Sequence, residues 1–234
     1  VRSATAQSRS SSVTGDSIRQ TSGDAGGPTG YLSLGDTLVA FDVISGDQIW
    51  ETSIDIEEGH VSNPVVVEGT VYLTHQNRIY AFDAVSGSRE WVFENNERFP
   101  FNSAESITIV DDILYIGGFG GPGFRSDSLH VLAFNVNSQS VKWRSETFRV
   151  DENTRRGIES IGPVFVEDDR VYAADSFGDL FVLDAENGEI RDRINEDLEM
   201  SVITKYSNEI YSGVLDESVV GSVDTTTNDV TWTY

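Results

Sequence analysis

The residues whose spacing most resembles a chemical site are glycines. In ILYIGGFGGPGFRSDSLHVLAFN, residues 113–135, Gly118, Gly120 and Gly123 form G-x-G-x-x-G directly after a run that reads as a strand. That spacing builds a dinucleotide-binding turn when a helix starts at the third glycine, so that the pyrophosphate meets the helix N-terminus. Here Pro122 precedes Gly123, and the next regular run, LHVLAFN, has strand character and ends at Asn135. The stretch is therefore expected to be an inserted loop between two strands, residues 117–128, and not a phosphate cradle. His60, His75 and His130 have no motif context, so neither a Ser-His-Asp arrangement nor a zinc site is legible. The acidic pairs Asp111-Asp112 and Asp168-Asp169 resemble metal ligands but fall between short strands, where Asp is an ordinary turn residue. With no cysteine in the chain, thiolate chemistry and disulfides are excluded.

The elements that must carry these residues repeat. AFDVISGDQIW (40–50), AFDAVSGSREW (81–91), AFNVNSQSVKW (133–143), VLDAENGEIRD (182–192) and SVDTTTNDVTW (222–232) share the pattern A-x-D-x-x-x-G-x-x-x-W. Their anchors Asp42, Asp83, Asn135, Asp184 and Asp224 lie 41, 52, 49 and 40 residues apart. A period near 40 is the length of one propeller blade. The second unit divides into four runs rich in β-branched and aromatic residues, at 64–67, 71–74, 78–83 and 89–93, here termed A to D. Asp83 to Gly87 makes the C–D turn: the Asp side chain can bond backbone amides ahead of it, and Gly supplies a positive φ. Asn228 replaces that Gly in the fifth unit, and Gln139 replaces it in the third, where a different turn is expected. No segment has a convincing amphipathic helix, so the fold is expected to be all-β.

Composition narrows the partners. Asp and Glu number 39 against 16 Lys and Arg, a net charge of −23, and Lys142 and Lys205 are the only lysines. Such a surface repels nucleic acid and anionic membranes. A disordered acidic chain is excluded by 38% hydrophobic and 10% aromatic residues, enough for a core. Dense carboxylates with scarce lysine resemble a halophilic archaeal protein, kept hydrated at high salt. No apolar run is long enough to span a bilayer and no signal peptide is present. The reading favours an extracellular or cell-surface location over the cytoplasm. Residues 1–29, rich in Ser, Thr and Gly, read as a flexible leader, and residues 30–234 as the repeats.

The motif A-F-D-x-x-S-G-x-x-x-W, intact at 40–50 and 81–91, resembles the pyrroloquinoline-quinone (PQQ) enzyme repeat. The resemblance covers residues 30–234 and implies a β-propeller of four-stranded antiparallel blades. It also implies that Trp50, Trp91, Trp143 and Trp232 dock each blade on its neighbour. Asp192 stands where the fourth Trp should be, which leaves that contact without its expected residue. The first unit has no A strand before it. Five units imply either a small propeller closed by a swapped strand or a fragment of a seven- or eight-bladed one, and the fragment is preferred because closure removes sheet edges.

Insertions into the repeat mark a candidate recognition face. The third B–C loop and the linker SETFRVDENTRRGIES emerge on the same side of an antiparallel meander. They bring Phe124, Arg125, Asp127, Arg155 and Arg156 to one face as a candidate partner-binding patch. His60, Asn63, Glu105, Glu159 and Glu199 precede the inner strands and would ring the mouth of a central channel. Converging carboxylates there could hold Ca²⁺, although solvated carboxylates in a wet channel explain the same residues. The expected function is a non-enzymatic binding module or assembly scaffold for a protein or peptide partner. No catalytic residue and no cofactor are expected. The alternatives are a fragment of a PQQ-dependent dehydrogenase with Ca²⁺, and the sensor domain of a larger receptor. The resemblance implies adjacent cysteines beside the quinone in such dehydrogenases, and this chain has none.

Overall fold

The computed structural model describes residues 27–56, 61–95, 107–120, 128–146, 161–175, 180–194, 202–213 and 220–233. Among them the chain forms five antiparallel sheets and no helix. Sheet 1 holds β1 (Thr29–Leu34), β2 (Thr37–Asp42) and β3 (Gln48–Ser53). Sheet 2 holds β4 (Val65–Val67), β5 (Thr70–His75), β6 (Arg78–Asp83) and β7 (Arg89–Glu94). Sheet 3 holds β8 (Ile107–Val110), β9 (Ile113–Gly120), β10 (Ser128–Asn135) and β11 (Ser140–Arg144). Sheet 4 holds β12 (Ile161–Glu167), β13 (Arg170–Asp175), β14 (Leu180–Asp184) and β15 (Ile190–Ile194). Sheet 5 holds β16 (Val202–Tyr206), β17 (Glu209–Gly213), β18 (Val220–Asp224) and β19 (Val230–Thr233). Each is a simple meander in which sequence neighbours pair. In sheet 1 the described strands correspond to B, C and D. The first strands of sheets 2 to 5 lie side by side, β4 beside β8, β8 beside β12 and β12 beside β16.

The sheets stack face to face, so each inner sheet is buried on both sides. Side chains alternate across a strand, and successive residues accordingly enter different cores. Val71 and Leu73 pack towards sheet 1, while Tyr72 between them packs towards sheet 3. In the same way Leu114 and Ile116 face sheet 2, and Ile113 and Tyr115 face sheet 4. Four such cores separate the five sheets. The B and C strands therefore read as nearly continuous apolar runs such as TVYL and IYAF. Each fully buried aliphatic side chain contributes roughly 1.5–3 kcal/mol.

The A-x-D anchor has a second role. In every sheet the C–D pairing shifts by one residue inside it: between Ala40 and Phe41, Ala81 and Phe82, Ala133 and Phe134, Val182 and Leu183, and Ser222 and Val223. This bulge tightens the twist and rotates the start of the outer strand. The turn behind it is held by the anchor carboxylate. Asp42 Oδ1 accepts from the Ile44 and Ser45 amides at 2.9 and 2.7 Å, and Asp184 Oδ1 from Glu186 and Asn187 at 2.7 and 3.1 Å. The amide of Ser45 holds the Asp42 carboxyl below its usual range. The third turn closes differently, as expected: its ladder runs one pair further, to Asn135↔Ser140, yet it keeps the Asx bond. Asn135 Oδ1 accepts from the Ser138 amide at 2.8 Å, and Gln139 adopts φ 51° where Gly87 has 69°. A side chain is tolerated in the left-handed region once the Asx bonds hold the turn.

Candidate functional site

The docking residues can be built from the turns upward. Trp50, on β3, donates its indole N–H to Ala84 O of sheet 2 at 3.2 Å. Trp143, on β11, donates to Ala185 O of sheet 4 at 3.0 Å. Ala84 and Ala185 each follow the anchor Asp of the next sheet, so the tryptophan of one unit caps the turn of the following one. The turn glycine explains itself here: a Cβ on Gly87 would stand 2.7 Å from the Trp50 ring, and one on Gly188 would collide with Trp143. Glycine is thus required twice, for its positive φ and as the floor on which the indole lies. Behind each indole stands the B-strand tyrosine. Tyr31–Trp50, Tyr72–Trp91 and Tyr115–Trp143 have ring centroids 5.7, 5.9 and 5.9 Å apart. Trp91 also lies 6.1 Å from Phe134 of sheet 3, where Gln139 replaces the turn glycine. Trp232 keeps the register, opposite Ser222, and its side chain lies outside the described residues.

Asp192 occupies the fourth docking position, opposite Val182. The seam it was expected to weaken is polar instead. Arg170 Nη1 donates to Thr225 O at 3.0 Å and lies 3.4 Å from Asn228 Oδ1. The Tyr172 hydroxyl donates to the same carbonyl at 2.9 Å, as Tyr31 does to Ala84 O. Asp192 Oδ2 accepts from Asn228 Nδ2 at 3.2 Å. A guanidinium from β13 therefore supplies the N–H that an indole supplies elsewhere. Arg170 was not singled out from the sequence, because it lies 22 residues before the missing tryptophan, on another strand. The signal was present in the paired loss of Trp at 192 and Gly at 228.

On the face of the B–C and D–A connections, β9 and β10 pair through Phe119↔Leu129 and Gly120↔Ser128. In sheet 2 the corresponding strands end at His75↔Arg78, the equivalent of Gly118↔His130. The third hairpin thus runs two pairs further, and the insertion expected at 117–128 narrows to 121–127. Among the described residues the next element is the strand β10, and Gly117 and Gly118 themselves lie in β9. Beneath the hairpin His130 is buried. Its Nε2 lies 2.8 Å from Arg144 Nη2, and its Nδ1 lies 3.3 Å from Ser145 O. A guanidinium only donates, so Nε2 accepts and Nδ1–H faces the carbonyl. Burial, followed by the Arg144 charge, holds the imidazole down to about 4.

Of the residues expected at the channel mouth, Asn63 is exposed just ahead of β4, beside Ser62, whose amide donates to Thr74 O at 2.9 Å. His60, Glu105, Glu159 and Glu199 lie outside the described residues, as do Phe124, Arg125, Asp127, Arg155 and Arg156. Among the described residues no group of three or more His, Asp or Glu is placed to hold a metal ion. They supply no ligand set for the Ca²⁺ that a bound quinone would need.

Radially stacked meanders, docked through a tryptophan and a turn glycine, define a β-propeller of the PQQ-like repeat class. The chain belongs to the family described as outer membrane protein assembly factor BamB, whose model matches residues 5–234. Among solved structures it is similar to BamB from Moraxella catarrhalis, with 19% identity, a TM-score of 0.50, and coverage of 85% of this chain and 70% of that one. It is also similar to quinohemoprotein alcohol dehydrogenase from Comamonas testosteroni, with 13% identity, a TM-score of 0.64, and coverage of 88% and 41%. At these identities the likeness is one of fold. A curated relative, the serine/threonine-protein kinase AfsK of Streptomyces griseus, is 28% identical over 171 residues, 72% of this chain. The chain spans 20% of that kinase's length. No helix among the described residues is long and apolar enough to cross a membrane.

Proposed function

We propose that the chain is a non-enzymatic propeller module that binds a protein partner, as an assembly scaffold, through the face carrying the B–C and D–A connections. The observation that carries this reading is the β9–β10 hairpin, which extends two residue pairs beyond its counterpart in sheet 2 on that face. Membership of an assembly-factor family supports it. The test is photo-crosslinking from Asn63 and Asn77 in extract of the native host, repeated after residues 121–127 are replaced by Asn-Gly. One defined crosslinked partner, lost on shortening with unchanged thermal stability, is the expected result. A saturable new absorbance band on titration with PQQ and Ca²⁺ would overturn it in favour of a quinoprotein.

The match to part of a kinase favours a second reading, the sensor domain of a larger receptor. The full-length gene distinguishes the two. The charge of −23 and the two lysines support a salt-adapted, archaeal origin, and an extracellular or cell-surface setting accords with both readings. Retention of native structure on dilution into low salt would count against salt adaptation.

A further inference from the structure

The opposite face, which carries the A–B and C–D turns, holds a cleft of about 610 Å³ between sheets 3 and 4. Its floor is apolar, made by Ile113, Tyr115, Val166 and Ala185. Its rim is acidic from both walls: Asp111 stands on the sheet 3 side, and Asp168, Asp169 and Glu186 on the sheet 4 side, all exposed. Asp169 is engaged by Arg191 at 2.6 Å. Lys142 is the one cation in the lining.

The neighbouring seam shows what such a place accepts. Strand register makes Ile113 and Arg170 equivalent, because each opens its B strand opposite the anchor residue, Asn135 or Asp184. Between sheets 4 and 5 the Arg170 guanidinium crosses the seam, with its stem beside Tyr172 and its Nη1 on Thr225 O. Between sheets 3 and 4 Ile113 is too short to cross, and the space above it is the cleft. The equivalent carbonyl, Ala185 O, accepts one bond, from Trp143, and retains a second lone pair.

We infer that this cleft binds an arginine side chain of a protein partner, with an adjacent apolar residue of the same segment on the Ile113–Tyr115 floor. Charge complementarity selects the occupant: a guanidinium offers several planar donors to carboxylates on both walls, and its apolar stem suits the floor. The surface is distinct from the loop face and stands or falls separately from the scaffold reading.

The probe is a fluorescein-labelled peptide, Gly-Phe-Arg-Phe-Gly, titrated against the full chain by fluorescence anisotropy. Saturable binding is expected, with at least a tenfold loss when citrulline replaces the arginine. Ile113→Arg, which places the protein's own guanidinium in the cleft, is expected to abolish binding, and Glu186→Gln on the exposed turn to weaken it several-fold. Shortening residues 121–127 is expected to leave it unchanged. Thermal unfolding of each variant checks the fold, and Glu186→Gln remains decisive if Ile113→Arg does not fold. Absence of binding by the wild-type chain, equal affinity for the citrulline peptide, or undiminished binding by the folded variants would each overturn the inference.

Discussion

Sheet 4 meets sheet 3 through an indole and meets sheet 5 through a guanidinium. At the first seam Trp143 is buried, lies flat over Gly188 and donates one hydrogen bond to Ala185 O. At the second, Arg170 is about one-third exposed and Asp192 is exposed; together they reach Thr225 O and Asn228. Both seams satisfy the same turn carbonyl. They differ in how much apolar surface leaves water on the way. The turn residue differs between the two seams: glycine lies beneath the Trp143 indole, whereas the polar pair uses Asn228, which supplies both a donor and an acceptor at φ 62°.

This difference can be broken by deletion. Trp143→Ala removes a buried aromatic and leaves a void, and is expected to lower stability by about 3–5 kcal/mol in urea unfolding. Asp192→Ala, at an exposed hydrogen bond, is expected to cost under about 1 kcal/mol in the same assay. Equal losses would mean that the two seams are energetically alike.

Acid should distinguish them next. His130 bonds to Arg144 and Ser145, the two residues that follow Trp143. Its pKa is lowered to about 4 in the folded chain, from an ordinary 6.5, so between these values the unfolded chain takes up the proton and the folded chain does not. Stability therefore falls as pH drops from 6.5 towards 4, by roughly 1–3 kcal/mol. His130→Gln should remove that slope, as read by urea midpoints across the range. The anchor carboxylates act at lower pH. Asp83, lowered chiefly by the Ser86 hydroxyl, and Asp224, lowered chiefly by the Thr226 amide, contribute above their unfolded values and lose this contribution as pH falls through their folded ones.

The seam can also be converted. Asp192→Trp alone sets an indole against the Asn228 side chain and should cost roughly 1–3 kcal/mol by overpacking. Adding Asn228→Gly should recover most of that loss, which a double-mutant cycle would read as coupling. Additive effects would sink the idea that the indole and the glycine form a unit. Arg170→Ala tests the guanidinium side of the same seam. It leaves Thr225 O with Tyr172 and should cost about 1 kcal/mol, with faster amide exchange confined to the β18–β19 turn.

The repeat was readable because alternation and turn chemistry are local. Asp42, Asp83, Asp184 and Asp224 bind the amides just ahead of them, so their spacing reports the turns directly. The outer tryptophans were recognisable for the same reason. Their partner was less so: Trp50 lies on Gly87, a full repeat further along, and nothing near either residue shows the contact. The third turn differs in closing one pair further, at Asn135↔Ser140, while the Asx bond of Asn135 supports a left-handed Gln139. Arg170 escaped notice because a lost tryptophan was replaced from another strand and not from its own neighbourhood.

What this sequence determines by itself is therefore the unit: four short strands, an Asx turn and an all-β class. These follow from backbone preferences and side-chain alternation within a few residues. The stacking of one unit on the next was decided only in three dimensions. There the indole of one sheet, the bare Cα of the next, and the length difference between Ile113 and Arg170 determine which seam closes and which leaves a cleft.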